Sequence, residues 1–202
     1  MSKVHQEPDE NTVLAAQLAR WMYERPGVTI QAAKQAAGHM ASVPQSLVYR
    51  HLEILELQHD GPWVVRNRHY EALETALGLM EAFESALVQP EVRLSGRLTL
   101  GYWNQSAEIR IRVHASAVDV LTVLDPLGLE VHDECVSTRF GPCTAWVDDR
   151  TPPMLRVIGV PPSARKFADE PLVTGVVHPP MGLLKVRELW QRYSAGDQPV
   201  TE

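Results

Sequence analysis

The fold of the N-terminal part is decided by one stretch, VPQSLVYRHLEILE at residues 43–56. Val48, Leu52 and Leu55 recur in it at i, i+4 and i+7, which is the spacing of one face of an α-helix. Proline suits a first helical position, so the pattern predicts a helix from Pro44 to about Leu57. The opposite face carries polar side chains near the amino end of this helix, namely Gln45, Ser46, Tyr49 and Arg50.

Two helices are predicted before this stretch and a short strand after it. Apolar residues at helical spacing predict the first helix from about residue 11, and Arg25-Pro26-Gly27 ends it because proline cannot continue a helix. A second, alanine-rich helix is predicted from Ile30 to about Ala37. Residues 58–62 form a turn cluster, and Trp63-Val64-Val65 then has the aromatic and β-branched composition of a strand.

The run Val-Tyr-Arg-His-Leu at residues 48–52, followed by Leu-Glu, resembles the recognition helix of winged helix-turn-helix DNA-binding transcriptional regulators. The resemblance covers the N-terminal third of the chain and implies such a domain over residues 11–69. In this family the amino end of the recognition helix enters the major groove of DNA. The resemblance implies a wing at residues 57–67. It also implies DNA contacts by Gln45, Ser46, Tyr49 and Arg50, and phosphate contacts by Arg66 and Arg68 at the base of the wing.

The charge distribution is compatible with a local DNA-binding surface. The formal net charge of −6 argues against a protein that coats nucleic acid through its bulk charge. Residues 28–69 nevertheless carry a net charge of +1, because four cations stand against three carboxylates there. The cations are Lys34, Arg50, Arg66 and Arg68, and the carboxylates are Glu53, Glu56 and Asp60.

A fourth helix is predicted from about Arg68 to Leu87, and residues 70–89 are assigned to it as a linker and dimerisation helix. Its apolar stripe lies near heptad spacing and faces away from four glutamates, which favours the pairing of two subunits through this helix. The alternative is that the stripe packs on the C-terminal domain of the same chain. The residues of the stripe are Tyr70, Leu73, Leu77, Met80 and Leu87.

Residues 90–196 are predicted to form a C-terminal mixed α+β domain with an antiparallel or mixed sheet. The predicted strands are Val92–Trp103, Ile109–Val113, Leu129–Val136, Thr144–Val147, Leu155–Val160 and Val173–Val177, and the predicted helices are Ser116–Leu127 and Met181–Tyr193. Asn104–Ser106 would be the loop of a hairpin. The polar ends, residues 1–10 and 197–202, are expected to be flexible tails.

No motif of a known catalytic chemistry is found in this second half. It has neither a glycine-rich phosphate loop nor a nucleophile elbow, so we expect no enzyme activity, no catalytic residue and no cofactor. His132, Cys135 and Cys143 carry groups that suit zinc, but their spacing matches no recognised zinc pattern. We therefore expect no metal site, and two thiols on neighbouring strands is the simpler interpretation.

These observations predict a sequence-specific transcriptional regulator that binds double-stranded DNA as a homodimer. Its C-terminal domain would sense a small ligand or mediate assembly. The alternative is an antitoxin-like or mobile-element protein that binds a partner protein through its C-terminal domain. The polar start of the chain and the absence of long apolar runs predict a cytoplasmic protein without membrane contact.

Overall fold

A computed structural model describes residues 9–25, 28, 30–38, 43–100, 108–150, 153–172 and 179–195. The chain divides into two compact units, and the division falls between Val65 and Arg66. The first unit consists of helices, and the second contains a five-stranded mixed sheet with helices. The fold is therefore α+β, as the sequence predicts.

The first unit is built on α1 (Glu10–Tyr23), α2 (Ile30–Ala36) and α3 (Gln45–His59). Their apolar faces form one core, to which each helix contributes at the helical spacing seen in the sequence. The buried members of this core are Ala15, Leu18, Ala19, Met22, Ile30, Ala33, Val43, Val48 and Leu52. The hydroxyl of Tyr23 donates a hydrogen bond of 2.9 Å to Asp60, which ties the end of α1 to the end of α3.

The wing predicted at residues 57–67 is absent, because this segment is helical apart from one turn. Trp63, Val64 and Val65 lie in the first turn of α4 (Pro62–Ala86), so the prediction of a strand there was wrong. Proline fixes the backbone φ near its helical value and needs no amide partner at the start of a helix, which explains why α4 begins at Pro62. Gly61, with φ of +84°, lies between the end of α3 and the start of α4.

The sheet of the second unit has five strands, β1 (Val92–Ser95), β2 (Glu108–His114), β3 (His132–Thr138), β4 (Gly141–Asp148) and β5 (Met154–Val160). Their order is β1-β2-β5-β4-β3. β2 and β5 pair in parallel, and the other three pairs are antiparallel. The sheet is therefore mixed, which is one of the two arrangements predicted.

Helices α4, α5 (Ala117–Leu124) and α6 (Leu183–Ala195) contribute to the same core as one face of this sheet. α5 begins with a capping box in which Ser116 and Asp119 each bond the other's backbone amide. The stripe predicted for dimerisation lies in this core. Leu73, Leu77 and Met80 are buried, Leu87 packs against the buried residues, and the ring of Tyr70 stacks on Trp190 of α6 at 5.6 Å.

The assignment of this stripe to a subunit interface is therefore corrected. Its side chains are already covered by strands and helices of their own unit, which is the alternative that the sequence left open. The predicted strand from Val92 to Trp103 is also shorter, because Gly96 adopts a φ of +87° and a 3-10 turn follows at Arg97–Leu100. The predicted hairpin loop at Asn104–Ser106 and the strand at Val173–Val177 lie outside the described residues.

Candidate nucleic-acid interface

The helix α3 is held in the first unit by its aliphatic face. Val48 and Leu52 are buried among residues of α1 and α2, and Leu55 packs beside them. Because residues three and four apart share a face, the side chains between them point away from the core. The structure leaves Ser46 and Arg50 exposed on that outer face, and Gln45 is exposed at the first residue of the helix.

The start of α3 is fixed by its connection to α2. Gly38 ends α2 in the left-handed region with φ of +68°. The Lys34 ammonium of α2 donates a hydrogen bond of 2.5 Å to the carbonyl of Val43, whose side chain is buried in the core. These contacts hold both ends of the connection, although residues 39–42 lie outside the described part of the chain.

The amino end of α3 presents a positive helix terminus. Pro44 precedes the helix in an extended conformation, and its side chain makes no capping hydrogen bond. The first amides of a helix have no acceptor within the helix, and together with the helix dipole they favour an anion at this end. Gln45 and Ser46 occupy this first turn, so their side chains and the helix terminus lie on one surface.

Tyr49 is placed differently from the prediction. It was assigned to the outer face with Gln45 and Arg50, but it is half-buried and packs against the core of the first unit. The position of Tyr49, one residue after the buried Val48, puts it at the border between the two faces of α3. Its ring thus contributes to the packing of the domain, and we remove it from the predicted contact set.

Arg66 and Arg68 do not lie at the base of a wing, since both belong to α4 and to the second unit. The Arg66 guanidinium donates a hydrogen bond of 2.7 Å to the carbonyl of Tyr193 in α6. Arg68 is half-buried and also has an interaction partner. The phosphate contacts assigned to these two arginines are therefore withdrawn.

A carboxylate lies near the exposed arginine of α3. Burial raises the pKa of Glu53, and the positive charge of Arg50 opposes this increase. The two side chains are three residues apart and therefore share a face of the helix. The outer surface of α3 thus combines a cation with a partly desolvated acid.

The sequence-based interpretation missed an apolar surface that follows this region. Ile54 and Leu57 on α3 are exposed, as are Trp63 and Val64 at the start of α4, and Trp63 is 61% exposed. Single exposed apolar side chains are common on protein surfaces, whereas a contiguous group of them marks a contact surface. The apolar residues of this surface were visible in the sequence, but residues 63–65 were assigned to a strand, so their exposure was not predicted.

The second unit assembles no metal site from its described residues. No group of three or more histidine, cysteine or acidic side chains lies within coordinating distance there. Cys143 is buried and Cys135 is exposed, and Val136 rather than Cys135 is the cross-strand partner of Cys143. The two thiols therefore lie on opposite faces of the sheet. In the described part of the chain, no helix has the length and apolar character to span a membrane.

Comparison with known proteins adds no relative. The chain matches no protein-family model and no curated protein.

Proposed function

We propose that the chain is a sequence-specific DNA-binding transcriptional regulator, and that α3 is its recognition helix. One observation carries the proposal. Helix α3 buries its aliphatic face in a three-helix core and presents Gln45, Ser46 and Arg50 to solvent over its first two turns. This is the arrangement that a helix-turn-helix unit needs in order to place the amino end of its second helix in the major groove.

The exposed side chains match the chemistry of base and phosphate recognition. Arginine pairs with guanine through two hydrogen bonds, and glutamine does so with adenine. A serine hydroxyl at a helix amino terminus suits a phosphate oxygen, which sets the register of the protein on DNA. We therefore assign base contacts to Arg50 and Gln45, and a phosphate contact to Ser46.

The proposal does not need a wing. Winged and wingless helix-turn-helix units share the recognition helix and differ in the accessory contacts. Because Arg66 donates to the Tyr193 carbonyl and Arg68 also has an interaction partner, we assign the phosphate contacts to the first unit and the helix terminus. This lowers the number of expected phosphate contacts and hence the salt dependence of binding.

The proposal is tested by substitution of Arg50 in the full-length protein. Arg50→Ala should weaken binding to the selected site by about 1–3 kcal/mol and relax the preference at one base pair. Because Arg50 is exposed, the thermal stability should stay close to that of the wild type. The measurement is a fluorescence-anisotropy titration of the selected site and of its single-base variants.

Two control variants make this test specific. Arg20→Ala removes an exposed cation of α1, and Gln58→Ala removes an exposed amide at the far end of α3. Both should leave the base preference unchanged, whereas Gln45→Ala should alter the preference at an adjacent base pair. If Arg50→Ala retains the full specific affinity of the wild type, the assignment of the recognition helix is refuted.

We also propose that the regulator acts as a homodimer. A twofold dimer would present two copies of α3 to a palindromic site. Because the stripe on α4 is part of a core, the subunits must meet elsewhere. The exposed apolar side chains of Trp63 and Val64 at the start of α4 support this proposal, since burial of such side chains drives association.

A further inference from the structure

A cavity of about 270 Å³ lies in the second unit, beside the carboxyl end of β2. Its walls come from the residues after α4, from the start of α5 and from the 3-10 turn Pro162–Phe167. One part of the wall is apolar and includes Leu87, Val88 and Pro90. Another part is polar and includes His114 and Arg165.

His114 is the buried polar group of this cavity. Its side chain is only 1% exposed, and neither ring nitrogen has a hydrogen-bond partner of good geometry among the described residues. Burial, and after it the charges of Arg112, Arg93 and Arg165, lower the pKa of His114 to about 4, while a hydrogen bond to the Pro161 carbonyl opposes this shift. The ring is therefore neutral at pH 7 and has one N–H to donate.

The surrounding charge is positive and incompletely paired. Arg112 is fully buried, and its guanidinium donates to the Glu170 carbonyl at 2.5 Å while Nε and Nη2 have no partner. The buried Nε of Arg165 also has no partner. A buried cation is costly unless an anion or hydrogen bonds compensate it, so this corner of the domain favours a negative group.

The nearby carboxylates do not compensate Arg165. Asp169 pairs with Arg93 at 2.9 Å, and the Glu170 carboxylate pairs with Arg139. Asp119 lines the cavity, but its carboxylate is used in the capping box of α5. Among the described residues, no ion pair of Arg165 is found.

We propose that this cavity is a binding site for a small carboxylate-bearing molecule. The carboxylate would pair with the Arg165 guanidinium beside the ring of His114, since arginine commonly binds such groups. The aliphatic remainder of the ligand would lie against Leu87 and Pro90. The cavity is slightly smaller than a typical drug-sized pocket, which restricts the ligand to short chains.

This inference goes beyond the DNA-binding proposal and names a ligand class for the second unit. It does not depend on DNA, since all residues of the cavity belong to the second unit. Ligand binding can therefore be measured on the full-length protein without an operator. If no ligand binds, the proposal that α3 recognises DNA is unaffected. If α3 does not recognise DNA, the ligand proposal is likewise unaffected.

The experiment uses butyrate as the probe and butyramide as its uncharged isostere. Long-range ¹H–¹⁵N spectra report the ring nitrogens of His114, which should shift saturably as butyrate is added. Butyramide should bind at least about tenfold more weakly, because it lacks the charge that pairs with Arg165. Equal binding of the two probes, or no saturable shift with butyrate, would overturn the proposal.

Two variants locate the site. Arg165→Gln should weaken butyrate binding about tenfold or more, whereas Lys166→Gln, which removes the neighbouring exposed cation, should change it less than about twofold. Equal effects of the two variants would contradict a site at Arg165. A competition experiment with inorganic phosphate tests the choice of a carboxylate. If phosphate displaces butyrate at a concentration tenfold below that of butyrate, this choice is wrong. If Arg165→Gln fails to fold, the comparison of butyrate with butyramide on the wild-type protein still tests the proposal.

Discussion

The behaviour of Arg50 depends on one neighbouring carboxylate. Arg50 is exposed on α3, and its charge acts on Glu53, which is half-buried one turn further along the helix. An acid at this position repels DNA phosphates and competes with bases for the arginine. If α3 recognises DNA as proposed, Glu53 therefore opposes the contribution of Arg50 to binding.

Glu53→Gln should strengthen binding to the selected site by roughly threefold to tenfold, since one unit charge near a phosphate is worth on the order of 1 kcal/mol in water. The gain should fade as the salt concentration rises, because screening weakens the repulsion that the wild type experiences. Anisotropy titrations at several salt concentrations measure both effects. An equal gain at every salt concentration would contradict this electrostatic account.

A second residue-scale feature is the buried histidine of α4. His69 is buried, its Nε2 atom has no hydrogen-bond partner among the described residues, and its ring lies 5.5 Å from that of Tyr193. Burial lowers the pKa of His69 to about 4, below the ordinary value of 6.5. The folded state therefore holds this ring neutral in a range where the unfolded state protonates it.

The sign of the pH dependence follows from these values. The contribution of His69 to stability is fully present above pH 6.5 and is lost as the pH falls toward about 4. The loss for this residue is on the order of 3 kcal/mol. His69→Phe, which keeps the ring beside Tyr193, should make the free energy of unfolding fall less steeply between pH 6.5 and 4.5. Urea titrations across that range measure the slope, and an identical slope in the variant would contradict this assignment.

At the scale of elements, helices were easier to predict than the connections between them. The periodicity of apolar residues located α1 and α3, and the alanine-rich composition located α2, each to within a few residues. The segment after α3 was predicted wrongly. Trp63, Val64 and Val65 have strand propensity, but Pro62 initiates a helix that packing extends to Ala86.

The same limit applies to the predicted contact residues. The exposed side chains of α3 could be predicted because they depend on position along one helix. The hydrogen bond of Arg66 could not be predicted, since its acceptor is the carbonyl of Tyr193, 127 residues further along the chain. The burial of Leu73 and Met80 had two interpretations in the sequence, because an apolar stripe packs equally well on a second subunit or on a sheet.

Two glycines of this region should respond to alanine in opposite directions. Gly61 has φ of +84° between α3 and α4, so Gly61→Ala should lower the free energy of unfolding by about 1 kcal/mol. Gly78 lies within α4 with open space where a Cβ would be, so Gly78→Ala should raise that free energy by about 0.5–1 kcal/mol. Chemical denaturation of both variants measures the difference. If Gly61→Ala is stabilising, the left-handed conformation described for Gly61 between α3 and α4 is incorrect.

At the scale of the whole molecule, charge and assembly determine how the protein would meet DNA. The chain carries a formal net charge of −6, so most of its surface is repelled by DNA. In the proposed function, binding then depends on a local surface of the first unit, which a twofold dimer would present twice. This makes the homodimer an essential part of the proposed function.

Trp63→Ser should shift the sedimentation equilibrium from dimer toward monomer, because it removes the largest exposed apolar side chain of the 54–64 region. The expected change in dimer dissociation constant is about tenfold or more. Val88→Ser, at an exposed valine after α4, is the matched control and should leave the equilibrium unchanged. A wild-type protein that sediments as a monomer at micromolar concentration would rule out assembly through this surface.

Recognition of DNA by α3 is best measured by selection of fragmented genomic DNA with the purified full-length protein at near-physiological salt. We expect a single enriched motif with twofold symmetry, whose enrichment is lost with Arg50→Ala and retained with Arg20→Ala. Recovery of DNA without any enriched sequence, or an unchanged motif with Arg50→Ala, would contradict the claim that α3 recognises DNA.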